Sequence, residues 1–471
     1  MLAGCTENFG GGGSGSPSPT QSSDGEDTST SPGESVSLTW WHLNVKKSRR
    51  DFIAKLLEEY EGENPTVSLS QNAIANDSYK TAIKNALGSS EAPDVFFWFT
   101  GPNRLGLGVQ NGTVEPIKGE TMEIVKEQVP IDDMPPGVLN QARFKEGDIL
   151  SWGASDGDLY AIPNSLSGIC PWYNKQVLEE AGVDPDRIKR RTDMTWDEFL
   201  EICEAIKQTG KTPIILGNRN QWMVANWMSA FLTKAVGTQT WYGTAHGRND
   251  KKWTDDEYVE ALSRMQELFD KGYLNRSINS IDRFEAAGQF FNNQAGFYPT
   301  GTWIPQEYAS VMSEDYPGIP EAIDYVWNPY FPEMYEDGKN ERLAPAAGAR
   351  CISKRAANRG DTHFDETRKF YAWTESTDTM VGLMENNIHL TPPRPDVWAE
   401  VEVDAEQAAI KQNMDQIAEA KATAAVIDIA FLPQPTQTML SELQGLFTGK
   451  DPEKILQAVQ KSTDEALSQY Q

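Results

Sequence analysis

Residues 36–41 read Val36-Ser37-Leu38-Thr39-Trp40-Trp41, an alternation with the two-residue period of a β-strand. Phe52, Ile53, Leu56, Leu57 and Tyr60 follow at helical spacing, so a helix succeeds the strand. The unit then repeats. Residues 66–70 alternate again, Asp77 can cap a helix carrying Tyr79, Ile83 and Leu87, and Pro93-Asp94-Val95-Phe96-Phe97-Trp98 is a buried strand. Strand and helix in alternation predict an α/β fold with a mostly parallel sheet. Ligands of such sheets collect beyond the carboxyl ends of the strands, where Trp40, Trp41, His42 and Trp98 fall. Neighbours on a strand point to opposite faces, so one of Trp40 and Trp41 packs inward and the other can face a cleft. Trp41 is the candidate.

Further along, Thr195-Trp196-Asp197-Glu198-Phe199 has the form of a capping box, with Phe199, Ile202, Cys203 and Ile206 as the buried helix face. Gly210 closes that helix and 213–216 resumes a strand. Residues 256–271, 367–375 and 451–469 are further helices by periodicity. A chain of 471 residues is long enough for two or three domains and needs no disulfide or metal staple. Its net charge of −27 repels phosphate backbones and argues against nucleic acid as a partner. No run approaches the roughly 20 apolar residues of a membrane-spanning helix. Against that polar background stand 14 Trp, 15 Tyr and 18 Phe; most of the tryptophans should fill large cores, and some should face a ligand.

Several chemical motifs fail on context. Gly210-Lys211-Thr212 lacks the first glycine of a phosphate loop and leads into a strand. Gly153-Ala154-Ser155-Asp156-Gly157 matches the nucleophile-elbow pattern, but a strand follows where a helix is needed, so it reads as a turn. His42, His246, His363 and His389 show no metal-ligand spacing, and Cys170, Cys203 and Cys351 no zinc or redox pairing. No metal, cofactor or catalytic residue is expected.

The start of the chain is different in kind. Met1-Leu2-Ala3-Gly4-Cys5 resembles the lipobox of bacterial lipoproteins, which implies lipidation at Cys5; the charged and apolar regions of a secretory signal are absent, so the chain reads as one that begins at the cleavage site. Of the 30 residues from Thr6 to Ser35, 22 are Gly, Ser, Pro or Thr, too few apolar groups to fold, so residues 1–35 are expected to be an anchor and a flexible tether. Such a coil reaches roughly 30 Å.

A wider resemblance rests on an ordered series: Pro93-Asp94-Val95-Phe96, Gly157-Asp158-Leu159-Tyr160-Ala161-Ile162-Pro163, Trp172-Tyr173-Asn174-Lys175, the Thr195 capping segment, Gly296-Phe297-Tyr298-Pro299-Thr300-Gly301-Thr302-Trp303 and Pro392-Pro393-Arg394-Pro395. In order and spacing it resembles the family 1 extracellular solute-binding proteins of bacterial carbohydrate ABC transporters, from Val36 to Ser468. The resemblance implies a two-lobed periplasmic-binding-protein-like fold with hinge-linked lobes and a cleft between them. One lobe would take residues 36–163 and 323–378 and the other 164–322 and 379–471, with crossings near Pro163, Ile323 and Asp378. It implies sugar binding, closure on the ligand, and delivery to transmembrane permease subunits served by a separate ATPase. The place implied is the outer face of the cytoplasmic membrane, held by the lipid, or the periplasm, and the expected state is a monomer.

By position in the resemblance, Trp98, Trp222 and Trp303 are the firmest ligand-binding residues, and Asp77 and Arg350 fall where relatives present polar groups to hydroxyls. Gly101-Pro102-Asn103 leaves open which polar residue touches sugar. A pyranose has apolar C–H faces and a girdle of hydroxyls, which flat aromatic rings with Asp, Asn or Arg at their edges suit. The alternatives are an exported glycosidase, a polysaccharide-binding surface protein, and a binding protein for a non-sugar solute such as a polyamine or amino acid.

Overall fold

The computed structural model describes residues 35–304, 319–345, 348–386, 388, 391–403 and 405–470. Cys5 and the 1–35 tether lie outside the described residues, apart from Ser35, as does the side chain of Asp77.

In chain order the strands are β1 (Val36–His42), β2 (Val67–Ala73), β3 (Val95–Trp98), β4 (Val114–Glu115), β5 (Arg143–Phe144), β6 (Asp158–Leu159), β7 (Ile162–Ser165), β8 (Ile169–Asn174), β9 (Thr212–Ile214), β10 (Ala295–Gly301), β11 (Ile323–Tyr325), β12 (Glu341–Leu343), β13 (Gly348–Ser353) and β14 (Ala422–Ala424). The first large sheet runs β2-β1-β3-β13-β4 with β7 also on β13; the second runs β11-β8-β10-β9. Two small pairs, β12 with β14 and β5 with β6, complete the described strands. Each large sheet is covered by helices, giving the two-lobed α/β fold expected.

The first βα unit forms for the reason its alternation suggests. Val36, Leu38 and Trp40 turn inward on β1, and the helix Lys47–Glu63 buries Ile53, Leu57 and Tyr60 against it. Tyr60 packs on Phe370 and Trp373, with ring centroids 5.3 and 4.9 Å away. The Thr195/Glu198 capping box is present and starts the helix Trp196–Gln208. Its Trp196 joins Phe231 and Phe331 in the second core, at 5.6 and 5.3 Å.

Several expectations are corrected. The first sheet is mixed: β1, β2 and β3 are parallel, but β13 runs antiparallel to β3, β4 and β7, because the chain re-enters this sheet from the other one. Residues from Ile323 do not return to the first sheet at that point. β11 pairs antiparallel with β8, so passage back comes between Leu343 and Gly348. Asp378 lies in the helix Thr377–Glu385, whose Gly382 still approaches Phe52 of the first lobe, so the last crossing falls later. Short strands carry too little periodicity to reveal which sheet they join. Asp77 is not a cap: the helix is Asn76–Leu87 with Ala75 at the N-cap position.

The last correction concerns Arg350. It sits inside the first core at 1% side-chain exposure, paired with Glu375 at 3.0 Å, also at 1%, and its guanidinium lies 5.0 Å from the Trp40 ring centroid. All six residues of β13 are buried, so both of its faces are covered and Arg350 has no outward side to take. Asn164 Nδ2 on β7 donates to Glu375 Oε1 at 3.1 Å, and Arg394 Nη1 donates to the Glu375 carbonyl at 2.8 Å. Burial raises the Glu375 carboxyl above its usual range, with Arg350, Asn164 and Arg394 pulling the other way. Removing one partner of a buried pair strands the other charge, so Glu375→Ala should cost about 3–5 kcal/mol of stability, measured by urea unfolding.

His42, at the end of β1, is held neutral: Nδ1 accepts from the Asn44 N–H at 3.2 Å and Nε2 donates to Gln71 Oε1 at 3.0 Å. Burial pushes its pKa down to about 4, with Gln71 opposing and Arg350 reinforcing. An unfolded histidine titrates near 6.5. The unfolded chain therefore takes up a proton first, and stability present above pH 6.5 is lost as pH falls toward 4. Replacement by Gln should leave a protein that loses about 2–3 kcal/mol less than the wild type between pH 7.5 and 4, by urea titration at each pH.

Candidate functional site

Both sheets turn the carboxyl ends of their parallel strands toward the segments where the chain crosses between them. Trp98, the last residue of β3, pairs with Ala349 at the start of β13, and Ser165, the last of β7, pairs with Gly348. In the second sheet Gly301, the last residue of β10, pairs with Ile169, the first of β8. Beyond it the Thr302 N–H donates to the Gly168 carbonyl at 3.0 Å. Residues 166–168 thus leave the end of β7 and touch the end of β10, while Trp98 ends β3, one strand away from β7 across β13.

Trp303 lies back across the end of β10, and glycine is what admits it: a methyl group at Gly301 would collide with the ring. Trp222 opens the helix Trp222–Val236. Before it, Gln221 adopts the left-handed conformation at φ 68°, an uncommon one for a residue with a side chain, and its Nε2 donates to Gln444 Oε1 at 3.1 Å. Asn218 Oδ1 accepts from the Val224 N–H at 3.3 Å, so the loop supplies the cap that position 221 does not. The Trp222 and Trp303 ring centroids are 6.1 Å apart with planes at 60°. Ten of the fourteen tryptophans are buried; Trp41, Trp222, Trp303 and Trp373 are half-buried. The last of these packs on Tyr60, which leaves the other three with faces to spare.

Trp41 and Trp40 point to opposite sides of β1, with Trp40 in the core at 2% exposure. Tyr79 ties this corner together, its hydroxyl donating to the carbonyls of Phe97 at 2.7 Å and Trp41 at 3.3 Å. Trp98 is mostly enclosed, at 5% exposure, beside Tyr79 and Phe99 at 6.3 and 6.2 Å. Of the six residues singled out in the sequence, the structure brings Trp222 and Trp303 into one cluster. Trp41 and Trp98 stand at the strand ends of the other sheet, and Arg350 is withdrawn into the core.

Three polar residues went unnoticed in the sequence. Asn164 Oδ1, Asn226 Oδ1 and Thr302 Oγ1 are buried atoms with no hydrogen-bond partner among the described residues. Asn226 stands one helical turn beyond Trp222, on the same face. Leaving such an atom unpaired costs about 1–3 kcal/mol. Asn164 follows the Pro163 at which a crossing was expected, and Thr302 is the middle residue of the Gly-x-Trp motif; nothing in the local sequence marks Asn226.

The lobes also meet at a polar contact. Asp428 belongs to the short helix Ile427–Ala430, whose first N–H donates to Ser229 Oγ on the Trp222–Val236 helix at 2.8 Å. From the first lobe Arg104 pairs with Asp428 at 2.8 Å, Lys80 approaches it at 3.9 Å, and Asn103 Nδ2 donates to its carbonyl at 3.0 Å. Asn103 is therefore engaged in lobe contact. A separate cavity of about 720 Å³ is lined by parts of 135–153, 239–248 and 392–423, including Trp152, Tyr242 and Trp398, and by Leu166 of the crossing. None of its lining residues belongs to either large sheet, and none of the six sequence candidates lines it.

Among the described residues no group of three or more His, Cys, Asp or Glu side chains could hold a metal ion. Burial pushes the thiols of Cys170, Cys203 and Cys351 well up, away from reactivity. No described helix is long and apolar enough to cross a membrane.

Comparison with known proteins agrees with this architecture. A chitin oligosaccharide binding protein superposes with a TM-score of 0.74 at 22% identity, covering 93% of this chain and all of its own. The multiple sugar-binding protein of Streptococcus mutans is 22% identical over 278 residues, 58% of this chain and 59% of that protein. An ABC transporter extracellular-binding protein of Pyrococcus horikoshii is 25% identical over 207 residues, 43% of this chain and 41% of that protein. These alignments span about half the length of the two relatives. The family model for bacterial extracellular solute-binding proteins matches residues 46–377, well over half of the chain, and the protein is a member of that family.

Proposed function

We propose that the protein captures an oligosaccharide in the cleft between the strand ends of its two sheets, and presents it to the transmembrane permease of an ABC importer while Cys5 holds it to the membrane by a lipid. The observation that carries the reading is the half-buried Trp222–Trp303 pair, 6.1 Å apart beside the crossing. Names of relatives that specify sugars support it. Trp41, Trp98, Trp222 and Trp303 are the proposed platforms for pyranose faces, Asn226 and Thr302 the proposed partners for hydroxyls, and Asp77 a further polar candidate on the first lobe. No step of bond cleavage is assigned; the protein acts by binding.

Rings from both lobes bury more ligand surface when the cleft is shut, so the sugar shifts the population toward closure by differential contact. Asp428 with Arg104 and Lys80 adds to the closed state without touching the ligand. A micromolar affinity corresponds to about −8 kcal/mol, within reach of two or three stacked rings with their hydrogen bonds.

Trp222→Ala and Trp303→Ala should each weaken oligosaccharide binding by more than about tenfold, by isothermal titration calorimetry, with unfolding midpoints little changed. Unchanged affinity in both would remove the cleft assignment. Gly301→Ala should weaken binding as well, since the added methyl displaces the Trp303 ring. Asp428→Asn should speed ligand release about threefold to tenfold in stopped-flow measurements while leaving association nearly unchanged. Appearance of new reducing ends during any titration would show a glycosidase instead.

A further inference from the structure

Phe284 is the one aromatic among the large hydrophobic side chains left exposed in the described residues, at 38%. A single exposed phenylalanine ordinarily needs no explanation. This one continues a row that starts in the cleft. The Trp303 ring lies 6.1 Å from Trp222, the Arg283 guanidinium carbon lies 5.9 Å from the Trp222 ring centroid, and the same carbon stands 4.2 Å over the Phe284 ring. Ring, ring, guanidinium and ring therefore run outward from half-buried to exposed.

The row is built on a fixed frame. Asp282 caps the helix Arg283–Phe291, its Oδ1 accepting from the N–H groups of Phe284 and Glu285 at 2.9 and 3.0 Å. The Tyr298 hydroxyl on β10 donates to the Arg283 carbonyl at 3.0 Å. The loop bearing Trp222 is laced to the same segment: the Asn218 N–H donates to the Ile278 carbonyl at 2.7 Å and the Arg219 N–H to the Ile281 carbonyl at 3.0 Å. A side chain at Gly217 would strike the Asp282 carbonyl, so only glycine allows the two segments to approach. The backbone segments that carry Trp222 and Phe284 are thus tied to one another, which is what a multi-ring ligand needs if each added unit is to bind with little fresh ordering cost.

The chemistry repeats that of a sugar chain. Aromatic faces take C–H surfaces, and a planar guanidinium lies against two of them here. We propose that Arg283 and Phe284 form a distal subsite for one further pyranose ring, so that the protein prefers sugars of three or more units whose outer end lies on Phe284 at the mouth of the cleft. The proposal rests on the cleft reading above and extends it from the kind of ligand to its length and direction.

The test is calorimetric titration of the full chain with malto-, xylo-, chito- and arabino-oligosaccharides of two to five units, in wild type, Phe284→Ala and Phe284→Tyr. In the series that binds, wild-type affinity should rise at least fivefold between two units and four. Phe284→Ala should erase that rise while disaccharide affinity stays within twofold, and Phe284→Tyr should keep it. A length dependence that survives in Phe284→Ala, equal losses for short and long sugars, or no length dependence in wild type would overturn the distal subsite while leaving sugar binding in place. Failure of every oligosaccharide to bind wild type would overturn the cleft reading and this one with it.

Discussion

The buried pair of Arg350 and Glu375 holds the geometry on which the rest depends. Arg350 stands on β13, just after the chain has returned from the second sheet, and Glu375 follows the helix Asp361–Thr374. Asn164, bonded to the same carboxylate, stands on β7 just before the chain leaves. One ionic group thereby fixes the outgoing and returning strands side by side, next to the crossings. Desolvating both charges is expensive, and a well-packed apolar replacement can match such a pair in stability. Its position gives a different return: it ties together the two strands that adjoin the crossings.

From that fixed edge the site follows by register alone. Because β3 ends opposite the start of β13 and β10 ends opposite the start of β8, the aromatic residues at or just beyond the ends of β3 and β10 come to the sides of their sheets where the chain crosses, without any long-range signal between them in sequence. Gly301 then lets Trp303 fold across its strand, and the strained Gln221 turn, tied to Gln444, sets Trp222 beside it. Core tryptophans such as Trp40 and Trp196 are surrounded by other rings and do a different job, supplying burial worth about 1.5–3 kcal/mol apiece or more. Trp41, Trp222 and Trp303 are only half-buried.

Much of this was legible beforehand. The alternation of Val36 to Trp41, the helical spacing of Phe52 to Tyr60 and the capping box at Thr195 are local patterns, and local patterns specify local structure. The ordered motifs from Pro93 to Pro395 carried the two-lobed α/β fold. What the sequence did not contain was partnership. Nothing in Ile323-Asp324-Tyr325 says that it pairs with β8, and an arginine in Gly-Ala-Arg-Cys reads equally as a ligand donor or as half of a buried pair until Glu375, twenty-five residues on, is seen against it. Asn226 was hidden for the same reason: its buried oxygen has meaning only beside Trp222 and the end of β10. The contact of Asp428 with Arg104 joins residues more than three hundred positions apart and has no sequence signature at all.

The central claim is that ligand sits at the strand ends between the lobes, against the Trp222–Trp303 pair. A crystal structure of the protein with a bound oligosaccharide tests it most directly. The account predicts a sugar ring in face contact with Trp222 or Trp303, with Trp41 or Trp98 reaching it from the other lobe and hydroxyls within hydrogen-bond distance of Asn226 or Thr302. A sugar seated instead in the cavity lined by Trp152, Tyr242 and Trp398, with both Trp222 and Trp303 bare, would contradict it.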